Sequence, residues 1–170
     1  MKRVNFMLLT TAFALGYAAP VFSQQTLPEV TVVPANYKYL KTVGGKEVAI
    51  PVERLQRAAA TYDITKSEYY EEDYDTYFIS FKLPDGELLA AYDQKGKLMH
   101  TAERYKNIQL PSAVTRAVVE KYPKWAISKD VYLVKYFDDK GGSAVTKYKL
   151  ILLNGTKRIR VQVNENGEVS

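Results

Sequence analysis

The 170-residue sequence contains no cysteine, one histidine and one tryptophan. The absence of cysteine excludes disulfide bonds, a cysteine nucleophile and a lipid anchor attached through cysteine. Zinc sites draw mainly on histidine and cysteine, so the lone His100 cannot build one, and we expect it to be a surface or structural residue. Gly44-Gly45 lacks the spacing and the following Lys-Ser/Thr of a phosphate loop. We therefore predict no cofactor, no metal and no enzymatic activity.

Residues 1–23 have the layout of a secretory signal peptide. Lys2 and Arg3 form a basic start, the apolar run 6–22 follows, and small or apolar residues precede a cleavage site after Ser23. The alternative is a membrane anchor, but a glycine and a proline interrupt the run, and a spanning helix needs roughly 20 apolar residues. We expect a periplasmic or secreted bacterial protein with no stable membrane span after cleavage.

The charge balance of the chain is mildly basic. The formal net charge is +5, and residues 24–170 contain 22 Lys and Arg against 19 Asp and Glu. Nucleic-acid binders usually carry strong basic stripes, so we expect no nucleic-acid partner. The 14 tyrosines suit half-buried strands and binding surfaces, because each has an apolar ring and a polar tip.

Hydrophobic periodicity predicts two helices. In 51–62 a proline opens the segment, and apolar residues follow at steps of three and four, which is one helical face. A second helix begins at Pro111 and is stopped by Pro123. Residues 24–50 form an N-terminal lead-in segment, with a possible strand at 29–33 and a short element at 36–42.

Alternating apolar and polar residues predict six strands separated by short turns, which favours an antiparallel meander. The predicted strands are 75–83, 88–93, 98–105, 128–139, 144–154 and 156–164. Asn154-Gly155 is the strongest hairpin signal, because asparagine and glycine accept the positive φ that tight hairpins need.

The chain has the pattern of one unit built twice. The helical segments 51–62 and 111–122 both begin with proline and end with tyrosine, and the turns DQKGKL and NENGEV lie further along each half. About 11 extra residues in the second half are expected in the turn 138–143. We predict an α+β fold of two helix-plus-antiparallel-sheet units in tandem, 51–105 and 106–170, with the helices packed on one sheet face. Chance similarity of two amphipathic helices is the alternative.

The last two strands provide the candidate binding residues. Tyr148, Leu150 and Leu152 share a face, as do the apolar residues of 158–163, and these should meet the helix. The opposite faces carry Lys147, Lys149, Arg158 and Arg160. Tyr132 or Lys135 from the preceding strand joins them, depending on the strand register. Cations and aromatics on one sheet face can hold an acidic partner; an ordinary solvated face is the alternative.

The acidic segment 71–75 is the best candidate for hard-cation binding, since such cations take oxygen ligands. Its spacing is not that of a calcium loop, and no glycine turns the chain there. A solvated connection between two strands is the interpretation we favour. Glu71 and Asp75 are also the carboxylates on which an enzymatic alternative would rest.

The second half resembles the PepSY-like domains of secreted bacterial proteins, also described as beta-lactamase-inhibitor-protein-like. The resemblance is carried by Leu110-Pro111 opening a helix that ends at Tyr122-Pro123, and by strands that close on the turn 164–169. It covers 85–170 well and 51–99 loosely, where Asp63 follows Tyr62 in place of proline. It implies a helix on a four-stranded antiparallel sheet, often in tandem, and a non-enzymatic role, with proposed functions as inhibitors or chaperones of peptidases. It brings no catalytic residues.

The sequence thus predicts an exported, non-enzymatic module that binds a protein or peptide, for example as an inhibitor of a peptidase or another enzyme. An acidic partner is the one that the predicted cationic face would favour. The alternative is a structural or adhesion component of the cell envelope that assembles through exposed sheet edges.

Overall fold

The computed structural model describes residues 36–45, 47–139 and 141–170. The predicted signal peptide and the possible strand at 29–33 lie outside these ranges. The described helices and strands are, in chain order, α1 (Tyr37–Val43), α2 (Ile50–Thr61), β1 (Thr76–Leu83), β2 (Gly86–Asp93), β3 (Leu98–Lys106), α3 (Ser112–Lys121), β4 (Ala126–Phe137), β5 (Ser143–Asn154) and β6 (Lys157–Val163).

The six strands form one antiparallel sheet in the order of the chain, β1 to β6. The six predicted strands and both predicted helices are confirmed, with ends that differ by up to two residues. The expectation that 71–75 connects two strands is wrong, because the segment before it contains a single 3-10 turn, Ile64–Lys66, and β1 is the first strand of the described ranges. The β5–β6 hairpin turns at Gly155, whose φ of +58° is in the left-handed region that glycine adopts without strain. The α+β class is therefore confirmed.

The two halves share a single sheet and do not form two separate ones. Strands β3 and β4 join the halves by pairing along seven residues of β3. At one end His100 lies opposite Phe137, and at the other Lys106 lies opposite Val131. Each strand carries apolar or aromatic side chains on its inner face, so the joined sheet buries one continuous surface. The four-stranded sheet implied by the PepSY-like resemblance is thus not the sheet of this protein.

The duplication itself stays a prediction. Counted from each helix, the DQKGKL turn joins the second and third strands of the first half, whereas the NENGEV turn follows the third strand of the second half. The β4–β5 hairpin is longer than the β1–β2 hairpin mainly in its strands, with 12 residues each against 8, and also in its turn, with five residues against two.

The helices pack on one face of the sheet, which we call the covered face. The apolar stripe of α2, including Leu55 and Ala59, lies in the same buried cluster as Leu88 and Tyr92 of β2. The Tyr92 hydroxyl donates a hydrogen bond of 2.6 Å to the carbonyl oxygen of Ala59, at the C-terminal turn of α2. This bond satisfies a carbonyl near the helix end and fixes α2 against the sheet.

Helix α1 belongs to the core although it has seven residues, a length that is marginal for an isolated helix. Its Tyr39 and Val43 are buried. At its start, the buried Asn36 amide donates to the carbonyl oxygens of Ala60 and Gly96. The Asn36 side-chain oxygen accepts the Leu98 amide proton at 2.7 Å. Tertiary contacts therefore hold α1, and the predicted short element at 36–42 is part of the folded domain.

The carboxylate of Glu103 lies in the middle of the covered face and is 3% exposed. Its Oε1 accepts hydrogen bonds from the hydroxyls of Tyr39 on α1 (2.7 Å) and Thr101 (2.8 Å). Its Oε2 accepts from the Gln56 amide on α2 (3.0 Å) and the Tyr105 hydroxyl (2.8 Å). Four donors occupy about all the acceptor positions of a carboxylate. This carboxylate connects both N-terminal helices to β3.

The tyrosines around Glu103 act as donors at all ordinary pH values. Burial raises the pKa of Tyr39 well above its usual value, and the negative charge of Glu103 raises it further. The same two causes raise the pKa of Tyr105.

The ring of Tyr105 packs directly on Gly86 of the neighbouring strand β2. A Cβ at position 86 would come within 2.5 Å of this ring, so the close packing requires glycine there.

Asp138 provides a second anchor for α1, in the turn after β4. Its carboxylate oxygens lie 2.6 Å from Lys97 Nζ and 3.1 Å from Lys38 Nζ, and the Tyr136 hydroxyl donates to it at 3.1 Å. The hydrogen bond from Lys97 lowers the pKa of Asp138 to about 2, with help from the bonds of Lys38 and Tyr136 and against the effect of burial.

Replacing Glu103→Gln should lower the free energy of unfolding by about 3 kcal/mol, because an amide accepts through one oxygen and leaves buried donors without partners. Urea denaturation at neutral pH measures this loss. The control Glu87→Gln removes an exposed carboxylate 3.4 Å from Lys82 and should change stability by less than about 0.5 kcal/mol. Equal stability of the two variants would contradict the role given to Glu103.

In the Asp138→Asn variant, the free energy of unfolding should depend less on pH in the acidic range than it does in the wild type. Because the folded-state pKa of about 2 is below the ordinary 3.8, the ionised carboxylate stabilises the fold above about pH 4, and this contribution is lost as the pH falls through about 2. Denaturation midpoints from pH 6 to pH 2 measure the effect. The neighbouring Asp139→Asn, at an exposed position, should keep the wild-type profile; identical profiles for both variants would contradict the assignment.

Candidate binding face

The face of the sheet opposite the helices, which we call the open face, is not covered by any described helix. It carries the predicted cations, Lys147 and Lys149 on β5 and Arg158 and Arg160 on β6, and all four are exposed. These residues therefore share a face that no described element covers, and their role in binding stays a prediction.

The register of β5 and β6 sets the spacing of the cations. Lys149 pairs with Gln162, and Arg160 pairs with Ile151, so these two cations are diagonal neighbours and not direct partners. Diagonal positions on a sheet face are roughly 7–8 Å apart, within reach of long side chains. Lys149 and Arg160 can therefore contact one anionic group together.

Tyr132 does not lie on the open face. It is 8% exposed on the covered face, where its ring stacks on Tyr148 at 4.4 Å and on Tyr105 at 6.0 Å. The reason is the register, which places Tyr132 directly opposite these two core tyrosines. Of the two residues that the sequence left open, Lys135 is the one on the open face, and it is exposed.

The open face holds more cations than were predicted from the sequence. The additional ones are Lys82, Arg104, Lys106 and Lys129. The alternation within the predicted strands places them opposite the core residues, so this signal was available in the sequence. Glu87 is an acid among them and lies 3.4 Å from Lys82 at the β1–β2 end. On the described part of β4 to β6, the open face carries no acid.

Aliphatic side chains separate the cations of β4 to β6. Val145 is 58% exposed, and Leu153 is also exposed. Between Lys149 and Arg160 lies a hollow of about 340 Å³ whose floor includes Val131 and Ile151. Its size is at the lower end of the range of ligand sites, about 300–1,000 Å³.

The C-terminal residues form the rim of this hollow. The backbone N–H of Ser170 donates to the Gln162 carbonyl at 2.8 Å, and the Gln162 N–H donates back at 2.9 Å. Val169 forms an isolated bridge with Val163. The hollow thus has cationic walls, a polar rim and an aliphatic floor, which suits an anionic group attached to an apolar one.

A smaller cavity of about 190 Å³ opens on the covered face, between α1, α2 and the loop before α3. The two carboxylates that line it, Glu47 and Glu165, already accept hydrogen bonds. Glu47 accepts from the backbone N–H and the hydroxyl of Ser112, which lowers its pKa, and Glu165 accepts from the Thr146 hydroxyl at 3.1 Å. We interpret this cavity as a packing gap between the helices.

The described residues include no group of three or more His, Asp or Glu that could hold a metal ion. The acidic segment 71–75 is exposed at every position. His100 lies half-buried on the open face, 5.7 Å from the ring of Phe137. Within the described ranges, no helix is long and apolar enough to cross a membrane.

No protein-family model, no curated protein and no solved structure matches this chain. The resemblance to PepSY-like domains therefore stays a prediction from the residues quoted above.

Removal of one cation should stabilise the fold. Arg160→Gln relieves repulsion from Lys149 and Arg158, so the free energy of unfolding should rise by about 0.5 kcal/mol at low salt. The gain should disappear in 1 M salt, which screens exposed charges within about 3 Å. Urea denaturation at both salt concentrations measures it.

Arg57→Gln is the matched control, because Arg57 already pairs with Glu53 at 2.8 Å on α2. This variant should be neutral or slightly less stable at low salt. A lower stability of Arg160→Gln at low salt would contradict the view that the cations of the open face are uncompensated.

Proposed function

We propose that the protein is an exported, non-enzymatic binding module that holds an acidic segment of a protein partner on its open face. The observation that carries the proposal is the charge distribution: exposed cations separated by aliphatic side chains, with no acid on the described open face of β4 to β6. A face that only needed to be soluble would gain stability by mixing both signs of charge.

Carboxylates of a partner would compensate these cations through charge-assisted hydrogen bonds. Arg160 offers a planar guanidinium that can bind a carboxylate with two parallel bonds, and Lys149 offers a second cation nearby. The aliphatic side chains between them would contact the apolar part of the bound segment. Binding of this kind gives fast, salt-dependent association.

The non-enzymatic assignment is supported by the state of two of the three buried carboxylates that the structure describes. The third, Asp130, accepts the Ile108 backbone N–H at 3.2 Å, and burial raises its pKa. Glu103 has four hydrogen-bond donors, and Asp138 binds two ammonium groups and a hydroxyl. Glu103 has no acceptor position left for a substrate proton, and the pKa of about 2 makes Asp138 a weak base. The exposed Glu71 and Asp75 lie outside any enclosed pocket described above.

The form of the function that the PepSY-like resemblance favours is inhibition or chaperoning of a peptidase or another enzyme. An enzyme with an acidic surface segment is the partner that fits the open face. Export of the protein rests on the signal-peptide pattern of residues 1–23.

A second candidate, a structural or adhesion component, is favoured by one observation. Strand β1 is the outermost strand at its edge of the described sheet, and its Phe78 is 69% exposed. Unpaired edge strands can accept a strand from another chain. The opposite edge differs, because Val169 and Ser170 already pair with β6.

The double charge reversal Lys149→Glu plus Arg160→Glu should weaken binding of an acidic peptide at least tenfold, because two attractive contacts become repulsive. Fluorescence anisotropy with a labelled peptide of alternating glutamate and leucine measures the dissociation constant at low salt.

The control is Arg54→Glu plus Lys124→Glu, which changes the charge equally at exposed positions outside the strands, on α2 and in the connection between α3 and β4. It should retain most of the affinity. Equal losses in both double variants would show that net charge alone attracts the peptide, and the proposal of a specific face would be wrong.

A further inference from the structure

We propose that the occupant of the open face is the acidic segment 68–75 of a second copy of this chain, so that the protein associates head to tail. This inference rests on the proposed function, since it names the acidic partner of the same face. We call residues 68–75 the acidic loop; its sequence is EYYEEDYD.

The acidic loop presents its charges to solvent. Glu68, Glu71, Glu72, Asp73 and Asp75 are all exposed. None of them forms an ion pair with another residue of the described ranges. The loop is therefore the uncompensated negative counterpart of the uncompensated positive open face.

The backbone of the acidic loop is already held in place. The ring of Tyr70 stacks on Tyr77 at 5.7 Å, and the Tyr77 hydroxyl donates to the Glu71 carbonyl oxygen. The Gln94 amide donates to the Glu72 carbonyl at 2.8 Å. Ordering a loop on binding costs free energy, and these contacts remove part of that cost in advance.

The apolar parts of the two surfaces also match. Tyr69 is 66% exposed, and Tyr74 is 54% exposed although its ring also contacts Tyr77 edge-on at 6.2 Å. The hollow between Lys149 and Arg160 has an aliphatic floor and cationic walls. A tyrosine ring in such a hollow would gain burial of its apolar surface and contacts of its face with the cations.

The contact has to be made between two chains. The acidic loop precedes β1 at one edge of the sheet, whereas the hollow lies on β5 and β6 near the other edge. At about 4.8 Å per strand, β1 and β5 are roughly 19 Å apart, and the loop is anchored beside β1. Two different surfaces meeting in this way give a head-to-tail contact, which continues as a chain or closes as a ring.

Three double variants test the inference by sedimentation velocity over a range of protein concentrations. The face variant is Lys149→Gln plus Arg160→Gln, and the loop variant is Glu71→Gln plus Glu72→Gln. The control, Arg54→Gln plus Lys124→Gln, neutralises two exposed cations outside the strands of the sheet. Neutral substitutions create no new complementary pair when the variants are mixed.

The wild type and the control should grow in mass with concentration at low salt and return to monomer in high salt. The face variant and the loop variant should each stay monomeric alone. Their mixture should form a one-to-one dimer that does not grow, because each dimer has one intact face and one intact loop already in contact. A monomeric wild type, or association of either variant like the wild type, would overturn the inference.

A second measurement separates this inference from the proposed function. The synthetic peptide EYYEEDYD is titrated into the loop variant, which should stay monomeric and keeps an intact open face, and into the face variant, where its affinity should fall about tenfold. If the peptide binds the open face but the wild type stays monomeric, self-association is wrong and the binding function stands. If the peptide binds neither protein, both are wrong.

Discussion

The carboxylate of Glu103 is the contact on which the arrangement of the layers depends. It is buried, it has no cation beside it among the described residues, and four hydrogen bonds stabilise its charge. Two of these come from α1 and α2, so the charge is satisfied only when both helices lie on the covered face. An unsatisfied buried carboxylate is costly, and this cost makes the position of the helices specific.

The placement of the helices on one face determines what the other face can do. Along each strand, every second side chain is apolar or tyrosine and points to the covered face, and the side chains between them point to solvent. There the chain places lysine and arginine almost without acids, whereas its acids concentrate in turns and in the segment 68–75. A chain of small net charge thus becomes strongly polarised once it is folded, and this polarity favours association with acidic surfaces.

Much of the fold was predictable because its helices and strands follow from local patterns of apolar residues, proline and glycine. The alternation in 75–83 and 144–154 and the proline-opened helices gave the elements within a residue or two. The pairing of β3 with β4 was not predictable, since nothing local specifies which distant strand forms a neighbour. Glu103 was missed for the same reason, because its donors Tyr39 and Gln56 are far from it in the chain.

The candidate site was predictable to a similar degree. Lys149 and Arg160 lie on the face that the alternation predicted, whereas the face of Tyr132 depends on the register across β3, β4 and β5.

The central claim is that the open face is the binding surface. Its most direct test is a titration of the isotope-labelled protein with an acidic peptide, followed by backbone amide NMR shifts. We expect changes concentrated at β5 and β6 around Lys149, Ile151 and Arg160. Changes confined to α1, α2 or the cavity beside Glu47 would contradict it.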